Sequence, residues 1–353
     1  MTKSYGYAAF DKTSPLRPYD FEHRDPAPDD VVVDIEFCGI CHSDIHQVRD
    51  EWKNAMYPMV PGHEIVGRVR EVGSGVKKYK QGQRVAVGVL VNSCLSCDNC
   101  KAQQEPYCEK GAVGTYNAKD YDGSITYGGY ASVIVTKEHF VHSLADSLDP
   151  AGAAPLLCAG ITTYSPLKHW GAGPGKKIGV VGLGGLGHLG LKFAHSFGAH
   201  TVQFTTSESK IADAKKLGAD EVIISKDAAQ MAKHKGSFDF ILDCVSADHD
   251  LNEYLSLLKL DGTLCLVGLP EVPPVISPFS LITNRRSLAG SMIGGMSETQ
   301  QMLDYCAEKN ITADVEVIGY DKLDEAYERV VKSDVKYRFV LDNATLKQGS
   351  VSA

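Results

Sequence analysis

Six residues constrain the fold of this chain more than any others: Gly182-Leu183-Gly184-Gly185-Leu186-Gly187. They follow a short apolar run at 178–182. They precede Leu186, Leu189, Phe193 and Phe197, which recur at helical spacing until Gly198 stops the pattern. A G-x-G-x-x-G between a strand and a helix makes a tight turn that lets the backbone approach a pyrophosphate. The free N–H groups and partial positive charge of the helix N-terminus stand behind it. On its own the hexapeptide carries little weight; flanked this way, it predicts the first crossover of a dinucleotide-binding sheet. Apolar runs at 202–204, 222–224, 238–242 and 264–267 continue the pattern, with a helix over 211–217 stopped by Gly218. Strands that alternate with helices imply a doubly wound parallel sheet.

The chain ahead of this region is patterned differently. Segments 31–37 (VVVDIEF), 65–72, 84–91 and 131–135 are rich in β-branched residues, separated by Gly or Pro, and uninterrupted by a long helical period. They predict a small β-barrel domain. A helix over 298–309 and a strand over 337–341 (YRFVL) suggest that the C-terminus returns to that first domain. At 353 residues two domains are expected. We place them at 1–150 with 295–353, and at 151–294, in the α/β class.

Composition removes several functions. Hydrophobic residues make up 43% and charged residues 23%, as in a globular enzyme with ample core. A net charge of −8 argues against a nucleic-acid surface, which needs clustered Lys and Arg. The first residues lack the apolar core of a secretory signal, and no run reaches membrane-span length, so a cytoplasmic protein is expected. In a reducing compartment, ten cysteines point to metal before disulfides.

Cys94, Cys97, Cys100 and Cys108 follow C-x2-C-x2-C-x7-C in a lobe at about 92–110. Four thiolates close a tetrahedron around Zn²⁺ and leave no position for substrate, so this site reads as structural. An iron–sulfur protein would continue with C-x3-C-P, which is absent. A second set is scattered: Cys41 in CGICHSD (38–44), His63 and Glu64 in GHE (62–64), and Cys158 in LCAG (157–160). Singly, each reads as a small buried hydrophobe or an ordinary core residue. Together, one imidazole, two thiolates and one carboxylate suit a zinc ion that keeps a labile position.

Gly62-His63-Glu64 followed by Gly67, Gly73 and Val76 matches in full the signature of zinc-containing alcohol dehydrogenases. With 38–44 (CGICHSD), 155–164 (PLLCAGITTY) and 182–187 (GLGGLG), nearly the whole chain resembles the cinnamyl alcohol dehydrogenase branch of that superfamily. The resemblance implies a GroES-like β-barrel catalytic domain and a Rossmann cofactor domain. It also implies two zinc ions per chain, one catalytic and one structural, and interconversion of primary alcohols and aldehydes by hydride transfer with NADP(H). By it, Cys41, His63 and Cys158 ligate the catalytic zinc, and Glu64 can take the fourth position. Asp44 holds the His63 imidazole in one tautomer. Ser43, beside the cofactor ribose, begins a proton relay that His46 continues. Thr162, Gly268, Ser291, Met292 and Ile293 lie on the nicotinamide side, and Arg338 reaches the pyrophosphate. Trp52, Met292 and Ile293 line an apolar channel for aromatic or medium aliphatic aldehydes.

The cofactor can be argued from charge as well. An NAD site ends its second strand with an acid that binds the ribose 2′-hydroxyl. Here the strand ends in Thr205 and Thr206, with Lys210 close behind and Glu208 between them. Hydroxyls and an ammonium would hold a 2′-phosphate that a carboxylate would repel. The resemblance supports this, since its NADP-binding members carry hydroxyls and a lysine there. In one place the chain departs from the branch. Plant lignin-pathway members carry a Trp shortly after the last lobe cysteine, near where this chain has Val113, so broad aldehyde reduction fits better than a lignin-monomer role. The expected partner is a small-molecule substrate, with no nucleic acid or membrane. By resemblance the chain is a homodimer, paired through the edge around 287–290. Two other functions fit the motifs: an NAD-dependent polyol or short-chain alcohol dehydrogenase, and a non-catalytic zinc- and NADPH-binding redox sensor.

Overall fold

The strand Asp30–Ile40 organises the first half of the molecule. Most of its run of β-branched residues is buried, and other strands pair along both of its edges. Ile65–Val72 and Val133–Lys137 pair with it antiparallel. So does Arg338–Asp342 from the far end of the chain, with Val340 opposite Gly39 and Leu341 opposite Cys38. The C-terminal return expected from YRFVL is therefore a ladder of backbone hydrogen bonds. Among the described residues this sheet has seven strands; Val315–Ile318 lies beyond Arg338–Asp342, and Arg84–Val87 and Val141–Ser143 lie beyond Ile65–Val72.

The computed structural model describes residues 1–270 and 272–348. It divides into two compact units, one of Met1–Cys158 with the chain from Gly294 onward, the other Ala159–Ile293.

The second unit carries six parallel strands: Lys177–Val181, His200–Thr205, Glu221–Ile224, Phe238–Asp243, Leu258–Leu266 and Ser287–Gly290. Numbered in sequence order they lie 3-2-1-4-5-6, the order of the dinucleotide-binding Rossmann sheet. That order reverses beside Lys177–Val181, so the carboxyl ends of Lys177–Val181 and Phe238–Asp243 flank the crevice where such sheets bind ligands. Val180, Phe204, Ile241 and Leu264 are buried at the centre of this sheet. The helix Gly187–Ser196 follows the first strand, and Gly198, in the left-handed region at φ +81°, ends that turn as its position in the sequence implies.

Three elements differ from the sequence expectation. The segment read at 84–91 is two strands, Arg84–Val87 and Leu90–Asn92, in separate sheets. A short helix, His42–Val48, interrupts the β-rich half directly after Cys41. The strand read at 264–267 begins earlier, at Leu258, because Leu258 pairs with Phe238 ahead of the polar stretch Lys259–Asp261. Among the described residues, no helix is long and apolar enough to cross a membrane.

Candidate metal centres and nucleotide turn

Cys41 ends the Asp30–Ile40 arm and caps the helix His42–Val48, which places Ser43 and Asp44 within one turn of a candidate ligand and His46 in the next turn. His63 and Glu64 directly precede the strand Ile65–Val72, and Cys158 follows the 3-10 turn Ala154–Leu157. The fold brings one donor atom from each of Cys41, His63, Glu64 and Cys158 within 4.8 Å of the others. The Cys41 and Cys158 sulfurs are 3.9 Å apart. A tetrahedron with zinc–sulfur bonds of about 2.3 Å has edges of about 3.8 Å, whereas a disulfide would bring the sulfurs to about 2.05 Å. The donor set and its spacing therefore fit zinc.

Asp44 organises this cluster. It is fully buried and accepts four hydrogen bonds. Oδ2 takes the Cys41 amide at 2.8 Å and the Tyr130 hydroxyl at 3.3 Å. Oδ1 takes the Gly62 amide at 3.2 Å and His63 Nδ1 at 3.0 Å. A carboxylate here commits the imidazole proton to Nδ1 and leaves the Nε2 lone pair for a metal.

Glu64 is fully buried, with Oε1 paired to the Arg338 guanidinium. Its Oε2 has no hydrogen-bond partner among the described residues. Burial pushes the Glu64 carboxyl up to about 7, against the pull of Arg338. Cys41 is held well below the usual thiol range by the hydrogen bond from Cys158, with Arg338 and His63 adding to it. A buried carboxyl with an orphaned oxygen and a low thiol in one donor set suit a metal ion.

One further residue belongs here that the sequence reading did not single out. Tyr116 stacks on the His63 ring at 5.8 Å and donates from its hydroxyl to the Ser43 carbonyl at 3.3 Å. Arg338 also joins this cluster: its side chain is buried and pairs with Glu64, while its Nε has no hydrogen-bond partner among the described residues.

The second cluster is local. Cys94, Cys97, Cys100 and Cys108 also bring their sulfurs within 4.8 Å of one another, with Cys94 and Cys100 at 3.9 Å. Backbone amides aim into it: Ser96 and Cys97 donate to Cys94, Cys100 to Cys97, and Cys94 to Cys108. The Ser96 amide, with other donors, brings the Cys94 thiol down to about 5. Four sulfurs with zinc spacing fit a closed structural site.

In the second unit, Gly182 adopts φ +86° at the end of the first strand. A Cβ on Gly187 would lie 1.9 Å from the Gly182 carbonyl oxygen, so the turn can close only with glycine there. Lys210 folds back to the same turn and donates from Nζ to the Leu183 carbonyl at 3.0 Å. Thr205 is buried at the strand end, and its hydroxyl accepts from the Ser207 amide; Thr206 and Glu208 are exposed.

These features have counterparts in known proteins. Residues 27–146 match the model of the alcohol dehydrogenase GroES-like domain, and 185–308 match that of the zinc-binding dehydrogenases. The aldehyde reductase YahK of Escherichia coli is 56% identical over 96% of this chain and 97% of its own. The chain belongs to the zinc-binding alcohol dehydrogenase family. The NADP-dependent alcohol dehydrogenase C 1 of Mycolicibacterium smegmatis is 54% identical to this dehydrogenase, over 98% of this chain and 100% of its own. The solved cinnamyl alcohol dehydrogenase of Sorghum bicolor superposes with a TM-score of 0.96 at 44% identity, covering 99% of this chain and 100% of that one.

The remaining residues singled out by sequence are dispersed over both units of the dehydrogenase. His46 pairs with Glu51 through Nδ1, and its ring is stacked between His42 and Trp52. Trp52 itself is 38% exposed. Thr162 is buried on the helix Ala159–His169. Gly268 follows the strand Leu258–Leu266, and its amide donates to the Asp243 carbonyl. Ser291 donates its amide to the Leu266 carbonyl, Met292 is half exposed, and Ile293 is buried with φ +44°.

Proposed function

We propose that this dehydrogenase interconverts primary alcohols and aldehydes with NADP(H), using a zinc ion held by Cys41, His63 and Cys158 and a second, structural zinc in the cysteine lobe. The observation that carries the proposal is the buried donor set around Asp44, spaced for zinc and including one carboxylate oxygen without a partner. When bound, zinc supplies a Lewis acid and NADP(H) supplies or accepts the hydride.

The chain's own residues supply alignment and proton handling. Asp44 keeps the His63 proton on Nδ1. Arg338 holds Glu64 Oε1, and Oε2 keeps no hydrogen-bond partner among the described residues. Ser43 and His46 are three residues apart on one helix and share a face. In this proposal the Ser43 hydroxyl exchanges the substrate proton and His46 passes it on toward solvent, with Glu51 anchoring His46. Thr205, Thr206 and Lys210 would receive the 2′-phosphate, whose charge of about −1.5 to −2 suits a strand end without an acid. The exposed Trp52 ring suits aromatic and medium aliphatic aldehydes, among which a hydrophobic pocket discriminates only modestly.

Chelation that leaves one zinc per chain should abolish NADPH-driven reduction of cinnamaldehyde, and added zinc should restore it. Undiminished turnover in the one-zinc protein would contradict the proposal.

We also infer a homodimer. Ser287–Gly290 is an edge strand of the six-stranded sheet. Val275, Phe279 and Ile282 nearby in sequence are 86%, 70% and 67% exposed, more apolar surface than a lone subunit normally leaves in water. Sedimentation should give twice the chain mass, and a monomer at micromolar concentration would count against it. The ten cysteines, all unpaired with one another as disulfides, suit a reducing, cytoplasmic setting.

A further inference from the structure

Asp243 ends the strand Phe238–Asp243 at the crevice side of the Rossmann sheet and gathers the neighbouring loops. Its carbonyl accepts from the amides of Val267 at 2.9 Å and Gly268 at 3.1 Å. Its carboxylate is buried; Oδ1 accepts from the Val245 amide at 3.0 Å and Oδ2 from His249 Nε2 at 2.8 Å. The other ring nitrogen of His249, Nδ1, faces the Ala247 carbonyl at 2.8 Å. A carboxylate and a carbonyl can only accept, so both bonds exist together only when both nitrogens carry protons. His249 is therefore an imidazolium that ties the loop 244–249 to the strand end.

That loop presses on the nucleotide turn. A Cβ on Gly182 would lie 2.7 Å from Val245 Cγ2, and one on Gly268 would lie 2.3 Å from the Val245 oxygen. The Cys244 amide also donates to the Val181 carbonyl, one residue before Gly182. Val245 thus fills the space between the glycine turn and the end of the neighbouring strand.

We propose that His249 is a positioning residue for the dinucleotide: its doubly bonded imidazolium latches residues 244–249 closed and seats Val245 against Gly182 and Gly268, and loss of its proton loosens that wall and weakens cofactor binding. The inference rests on the NADP(H) reading above.

The charges around the latch set its direction. The hydrogen bond from Asp243 raises the His249 pKa against its partial burial, and Asp248 on the same loop adds to the rise. Tyr254 of the helix Leu251–Leu257 meets the ring edge-on at 5.7 Å, but burial pushes its hydroxyl up to about 12 and it stays neutral. Burial likewise pushes up the thiols of Cys244, on the loop, and Cys265, on the adjacent strand. A raised folded-state pKa means that the latch is intact below the free-histidine value and is lost as pH rises through the raised one.

The test is NADPH binding to the zinc-loaded chain, followed by fluorescence from about pH 7 to 9, where the 2′-phosphate (second pKa about 6) is already ionised. Wild-type protein should lose about fivefold in affinity across this range, the lower end of typical coupling between two sites. His249→Gln should bind with the weaker, high-pH affinity throughout. In parallel, the His249 ring resonance should titrate above the free-histidine value of about 6.5 in wild type and fall toward it in Asp243→Asn. Parallel pH profiles for wild type and His249→Gln, or a ring that titrates at or below the free value, would overturn the latch. Wild type that binds NADPH at no pH would instead overturn the cofactor reading, and the latch with it.

Discussion

Replacing Asp44 by asparagine is expected to lower aldehyde reduction by about a hundredfold, the upper end for a residue that orients a metal ligand, and to reduce bound zinc from two ions per chain toward one. Asp44 accepts from four donors, two at each oxygen. Asparagine has the same shape but must present an NH₂ group at one end. Placed at Oδ1, that group meets the Gly62 amide and His63, and drives the imidazole into the tautomer whose Nε2 carries the proton. Placed at Oδ2, it meets the Cys41 amide and pushes on the backbone of a second ligand. Either orientation also leaves buried donors unpaired, at about 1–3 kcal/mol each. Metal analysis and kcat on the same preparation decide the matter. A variant with two zincs and wild-type turnover would show that the ligands need no such support.

Cys100→Ser should act on stability before chemistry. The lobe has little else to hold it. Its helix Asp98–Lys101 has four residues and its 3-10 turn Glu105–Tyr107 has three, far below the roughly 12–15 residues at which an isolated helix becomes marginally stable. Its buried cluster consists of Cys97, Cys100 and Cys108, packed with Cys94 and Ala112. In such a segment the metal's binding energy is folding energy. Losing it should cost about 4 kcal/mol, which for a unit of this size lowers Tm by roughly 10 °C. The damage would travel through Glu105, a buried carboxylate that binds His139 at 2.7 Å and the Met296 amide at 3.0 Å, where the chain re-enters the first unit. Calorimetry with zinc analysis tests this: one zinc lost and a lower Tm are expected, and an unchanged Tm in protein lacking that zinc would contradict it.

The metal donors were legible in the sequence because cysteine and histidine at short fixed spacings have few other uses. The glycine turn was legible because Gly182 and Gly187 answer backbone constraints that no side chain can meet. The parallel strands were legible as alternation, but their 3-2-1-4-5-6 order was not, since order is decided by which faces the crossovers cover. The helix His42–Val48 escaped notice because its seven residues carry no apolar period; Asp44 capping the Cys41 amide is what starts it. The Arg338–Glu64 pair spans 274 positions in sequence and leaves no local trace. Arg338 was placed by analogy at a phosphate, and it is the ladder between Arg338–Asp342 and Asp30–Ile40 that also brings it beside Glu64. His249 was invisible for the same reason, because a histidine in a polar loop shows its second bond only in three dimensions.

The central claim is that a zinc-loaded chain reduces aldehydes with a 2′-phosphorylated cofactor. Initial rates of cinnamaldehyde reduction with NADPH and with NADH, on protein of measured zinc content, test it most directly. Fast oxidation of NADPH and slow oxidation of NADH by the two-zinc protein is the expected result. Preference for NADH would contradict the role given to Thr205, Thr206 and Lys210, and no turnover with either cofactor across a wide aldehyde panel, at full zinc, would contradict the assignment as an aldehyde reductase.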